Sequence, residues 1–118
     1  MSLTRLQRAS ARRMVECLEH ARKNPAMYLD TRNSEFVFVL IRGFKIGFQT
    51  CHGVAPDYYS HNLIRKRRLK TSALGLYGFI QQMRSRKWSE ERIVDELFAI
   101  QIETWQDWLE SDGANDGL

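Results

Sequence analysis

The sequence predicts an all-α protein, a compact bundle of four to five helices around one core. Three observations carry that expectation. Apolar residues recur at three- and four-residue spacing in the first and last stretches of the chain. A run of about fifteen mostly apolar residues lies between them, long for a strand and ordinary for a helix. No second β-rich segment exists to pair with that run, so a strand there would leave its backbone groups unsatisfied. The chain has 118 residues, 43% hydrophobic and 11% aromatic, enough to bury a core without disulfides. It reads as one helical domain, 1–110, with a polar tail, 111–118.

The first helix is expected over about 4–23. Leu3, Leu6, Ala11, Met14, Leu18 and Ala21 fall near one face, Ser2 or Thr4 can cap its start, and Arg22 and Lys23 suit its negative end. Asn24-Pro25 stops it, because a residue before proline is pushed out of the helical region. Met27, Tyr28 and Leu29 then plug the gap before the second helix, which Asn33 or Ser34 caps. That helix covers 35–48. Phe36-Val37-Phe38-Val39-Leu40-Ile41 favours a strand in isolation, but Phe44, Ile46 and Phe48 continue the apolar pattern, and the helix is expected to be the most buried. Gly43 and Gly47, four apart, form a notch where another helix could approach. Gly53 terminates the segment.

A short third helix starts at Pro56 or Asp57 and reaches about Arg65, burying Leu63 and Tyr59. A fourth starts with Thr71 or Ser72 as cap and ends near Arg84. The last helix is capped by Ser89 and carries Glu90 and Glu91 in its first turn, where the dipole favours them. Ile93, Val94, Leu97, Phe98, Gln101, Ile102, Trp105, Trp108 and Leu109 trace its apolar face, with Ile100 off that face.

Charge divides the chain. Residues 59–87 hold eight Lys or Arg and no acid, whereas 88–118 hold nine acids and one base. The net +4 therefore conceals two opposed halves, suited to an anionic partner or to pairing with each other. Arg65, Lys66, Arg67, Arg68 and Lys70 form the sharpest motif, five cations in six residues, and are the candidate nucleic-acid-binding set, reading phosphate rather than bases. Trp105, Trp108 and Leu109 are the candidate interaction surface, since tryptophan is over-represented at interface hot spots.

Catalytic chemistry is not indicated. Cys17, His20, Cys51 and His52 supply zinc-capable atoms, but without the paired spacing of structural zinc sites. Cys51 beside His52 lacks an orienting acid. Gly75 and Gly78 do not form a phosphate loop, and the Asp112–Gly117 stretch lacks the distal Glu of a calcium loop. No cofactor and no metal is expected. Few cysteines, no leader-like start and no apolar stretch near the twenty or so residues of a membrane span predict a cytoplasmic protein without membrane association.

Asn24-Pro25-Ala26-Met27-Tyr28-Leu29-Asp30 resembles the R-P-x-M-Y-[IL]-G segment of two groups. In the ATPase domain of the gyrase B type, a separate asparagine-bearing helix and glycine-rich motifs hold the nucleotide. This chain has neither, and carries Asn24 and Asp30 where that segment has arginine and glycine, so ATP binding is not implied. The second group comprises small, uncharacterised bacterial proteins in which the segment precedes an apolar helix and an aromatic-rich acidic helix closes the chain. Similarity of order and length to these covers about 10–110. It implies an all-helical fold and no particular activity. The expected function is a non-catalytic interaction module, self-associating as a homodimer or binding another protein, with nucleic-acid backbone binding as the alternative.

Overall fold

The computed structural model describes residues 2–24, 33–59, 61–70 and 75–111. Among these, five helices and no strand occur: α1 (Arg5–Lys23), α2 (Ser34–His52), α3 (His61–Lys66), α4 (Leu76–Ser85) and α5 (Glu90–Glu110). The all-α expectation is met, and the 36–41 run is helical. The Asn24–Asp30 resemblance lies, beyond Asn24, outside the described residues, as do the Met27-Tyr28-Leu29 plug, the Thr71 and Ser72 caps and nearly all of the polar tail.

Local chemistry sets the helix ends. Thr4 closes a reciprocal capping box with Gln7: the Gln7 amide donates to the Thr4 hydroxyl at 3.1 Å and the Thr4 amide to Gln7 Oε1 at 2.9 Å. Asn33 accepts from the Glu35 amide at 2.8 Å, and Ser89 from Arg92 at 3.2 Å. Gly53 ends α2 in the left-handed region at φ 76°. Gly75, at φ 59°, precedes α4 instead of lying inside it.

α5 is the axis of the fold. Its buried set, Ile93, Val94, Leu97, Phe98, Ile100, Gln101, Ile102, Thr104, Trp105 and Trp108, covers most of its circumference. Ile100, expected off the apolar face, is fully buried, because α1, α2, α3 and α4 all pack on α5. α1 runs antiparallel to α5. Near one end Arg8 Nη1 donates to the Leu109 carbonyl at 3.3 Å, and near the other Arg22 grips Asp95. α2 runs parallel to α5, with the Ser34 amide on Glu90 at 3.2 Å and Phe48 against Trp105. α4 runs back, its end meeting the starts of both through Arg84. The two buried polar side chains of α5 are satisfied: Gln101 Nε2 donates to the Tyr58 carbonyl at 2.5 Å and Thr104 Oγ1 to Ile100 at 2.7 Å.

The expectation that the second helix is the most buried is overturned. Only Ser34, Val37, Ile41 and Phe48 of α2 are buried. One face of a helix fills the contact with α4 and α5, and nothing among the described residues covers the other.

Candidate interaction surfaces

Trp105 and Trp108 are 2% and 1% exposed. They form an edge-to-face cluster with Phe48, at centroid distances of 4.8 and 5.8 Å from it and 5.7 Å from each other. Each ring is enclosed between α2 and α5, so neither offers a surface to a partner, and Leu109 is partly buried beside them. The predicted tryptophan surface is core, as its helical spacing would have it.

The exposed apolar surface lies on α2 instead. Phe36, Val39 and Ile46 are 50%, 62% and 50% exposed. At 100° per residue they share one side of the helix with Gly43, Gly47 and Thr50, with half-buried Leu40 at its edge. No atom lies within 4 Å of where a Cβ would stand on Gly43 or Gly47. Among the described residues the glycine notch is therefore open, and no helix enters it. The Thr50 hydroxyl donates to the Ile46 carbonyl at 2.8 Å, so this face carries no charge and no unsatisfied side-chain donor. Arg42 and Glu35 flank it on one side, Glu35 held by Arg84 at 3.1 Å. The signal was present in the sequence: apolar residues on two faces of one helix need cover on both.

The basic segment is split. Arg67 turns inward, its guanidinium bridging Glu96 and Glu103 of α5, with Nη1 also donating to the Leu63 carbonyl at 3.1 Å. Partial burial pulls its pKa down, but the hydrogen bonds to Glu103 and Glu96 outweigh this and hold it above the ordinary arginine value. Burial pushes Glu103 up, and Arg67 and Lys66 bring it net below the ordinary carboxylate value. Lys66 Nζ lies 3.4 Å from Glu103. Arg65, Arg68 and Lys70 are exposed, and no carboxylate among the described residues pairs with them.

Two residues absent from the predicted set join these three. α3 and α4 end in the same carbonyl motif. Leu69 N donates to Ile64 O at 3.1 Å and Arg68 N to Arg65 O at 3.0 Å; Trp88 N donates to Met83 O at 3.2 Å and Lys87 N to Arg84 O at 2.9 Å. The left-handed residue is Arg68 in one case, φ 56°, and Lys87 in the other, φ 62°. Glycine is favoured there, and a side chain costs about 1 kcal/mol. The two ends are clamped together. Arg86 donates to the Arg67 and Arg68 carbonyls, and Gln82 makes a reciprocal pair with the Lys70 backbone at 2.9 and 2.7 Å. Sequence reasoning counted the 65–70 run alone. Arg86 and Lys87 were legible as cations, but not as its neighbours.

Elsewhere charge is consumed in ties between helices. Arg22 holds Asp95 through two bonds of 2.7 and 3.0 Å. These line an open groove of about 580 Å³ with Glu19, Lys23 and Ile102. Arg84 Nε donates to Glu90 at 2.9 Å and Nη2 to the buried Ser34 hydroxyl at 3.0 Å. Cys17 and Cys51 are both exposed, and the His52 ring packs on Phe48 at 4.5 Å. Among the described residues no three His, Cys, Asp or Glu side chains gather as a metal ion requires, and no helix is long and apolar enough to cross a membrane. No family model matches this chain, and no curated protein or solved structure matches it either.

Proposed function

We propose that this chain is a non-catalytic protein-interaction module whose partner is a second copy, docked α2 against α2. The observation that carries the reading is the uncharged outer face of α2, with three large apolar side chains at least half exposed around an open two-glycine notch. Apolar surface of this kind is stabilised by removal from water, and a notch of glycines fits another helix.

The face is complementary to itself. Two copies placed antiparallel about Gly43 set Val39 of each against Gly47 of the other and Phe36 against Thr50, large against small at both ends. Leu40 meets Ile46 between them. Such a pairing is isologous and closes after two copies. Arg42 and Glu35 stay at the edge, in water.

Sedimentation equilibrium tests this reading. The parent is expected at twice the 13.9 kDa chain mass, and Val39→Glu with Ile46→Glu at one chain mass, with helicity retained and a melting temperature that no longer depends on protein concentration. With the exposed Cys17 and Cys51 replaced by serine, a Val39→Cys, Gly47→Cys double variant should cross-link between copies under mild oxidation, whereas Gly47→Cys alone should not. A parent that stays a single chain at the highest soluble concentration, or a Glu variant that stays paired, overturns the reading.

A further inference from the structure

We infer that the joined ends of α3 and α4 form a second binding surface, one that holds the phosphate backbone of a nucleic acid through Arg65, Arg68, Lys70, Arg86 and Lys87. It uses no residue of the α2 face and does not rest on self-association.

Charge is the first ground. Arg22, Lys66, Arg67 and Arg84 are each matched with a carboxylate. These five are exposed, and no carboxylate among the described residues pairs with them. A cation near a helix C-terminus has a routine role, balancing the negative end of the dipole. Each helix end amounts to only about half an elementary charge, so five full charges over two such ends leave a surplus of about four.

Backbone conformation is the second ground, and it is independent of charge. Arg68 and Lys87 occupy the left-handed positions of two successive helix ends. The chain places glycine in the matching position after α2, at Gly53. Where α3 and α4 meet, it places a long cation twice, against the backbone preference. Strain of this sort concentrates where a side chain is needed for binding. The third ground is rigidity. The Arg86 bonds to the Arg67 and Arg68 carbonyls and the Gln82–Lys70 pair hold the two cationic segments as one surface, so little ordering is left to do on binding.

A phosphate backbone fits better than a lipid surface. None of the large exposed apolar side chains among the described residues lies in 65–70 or 86–88, so the patch has charge without a group to insert among acyl chains. With no helix laid into a groove, recognition is of phosphate and independent of base sequence.

Fluorescence anisotropy with labelled single-stranded and duplex oligonucleotides tests the inference over a range of salt. Binding is expected to weaken with a log–log slope of about −4 to −5 for the duplex, the release expected for five phosphate contacts. Arg68→Gly with Lys87→Gly should lose at least about tenfold in affinity while melting at the same temperature or higher, since glycine relieves both left-handed positions. Arg65→Gln with Lys70→Gln, which leaves that backbone untouched, should lose affinity similarly. Lys66→Gln, already matched by Glu103, should bind like the parent. The inference is overturned if neither oligonucleotide binds at low salt, or if both double variants bind like the parent. Sedimentation of the parent with phosphatidylserine vesicles, with no oligonucleotide binding, overturns it too.

Discussion

At the scale of single residues, three aromatic side chains and one serine show how side chains are held. Phe48 joins α2 to α5 by packing edge-on against both buried tryptophans. Its loss would leave a void that the neighbouring indoles, themselves enclosed, could not collapse to fill. Phe48→Ala is therefore expected to lower stability by about 3–4 kcal/mol and to move tryptophan emission to longer wavelength as water reaches the cluster. Phe48→Leu should cost less than half of that, by urea titration. An Ala variant within 1 kcal/mol or so of the parent would mean the cluster is not tightly packed. Ser34, fully buried at the start of α2, is kept by a different device: its amide donates to Glu90 and its hydroxyl accepts from Arg84. A buried serine reads from sequence as a mere cap. Its role as a junction of three helices depends on Arg84, fifty positions away.

At the scale of elements, periodicity was enough for α1 and α5. Their caps and ends were legible, and most of their apolar faces; Leu6, expected inward, is exposed, and Ile100, expected off the apolar face, is buried. α2 was legible as a helix but not in its orientation. Phe36, Val39 and Ile46 are as apolar as Val37, Ile41 and Phe48, and nothing local says which three meet the core. The fate of the 65–70 run was equally hidden. Arg67 and Arg68 are adjacent and chemically identical, yet one is half-buried against two carboxylates and the other sits exposed in a left-handed turn. A tertiary contact thirty-six residues away separates them. α3 itself, six residues long, is far too short to persist alone. Leu63, Ile64 and Leu69 anchor it apolarly, and Arg67 locks it to α5. Arg67→Met is expected to cost about 2 kcal/mol, since it leaves Glu96 without a cation and Glu103 with Lys66 alone. The loss should be local. Hydrogen exchange should speed up in the 61–69 amides while the α1 and α5 cores stay protected. Equal acceleration throughout would show that α3 is not a separate unit of stability.

At the scale of the whole molecule, part of the opposed charge along the chain is spent in ties between helices, through Arg22, Lys66, Arg67 and Arg84. α5 presents Glu90, Asp95, Glu96 and Glu103 to arginines arriving from α1, from the end of α3 and from α4. Each exposed pair contributes little alone, but all share one polarity, and that fixes the response to acid. Hydrogen bonds from Arg22 hold Asp95 below the ordinary carboxylate value. Glu90 and Glu103 are also lowered: burial raises each, and hydrogen bonds from Ser34 and Arg84 in one case and Arg67 in the other prevail. A carboxyl group whose pKa is depressed on folding binds fewer protons in the folded state than in the unfolded one. Its stabilisation is complete above the unfolded value, about 4, and is lost as pH falls through the folded value. Asp107 acts in the opposite sense, raised by burial and by Glu110 and Glu103, but it stands alone against three. The urea midpoint should thus be flat near neutrality and fall steadily below about pH 4. Arg22→Gln should flatten that acid limb by removing the depression at Asp95, and added salt should shallow it. A midpoint that climbs on acidification would mean the carboxyl groups are better accommodated protonated, and that the arginine ties do not hold the helices together.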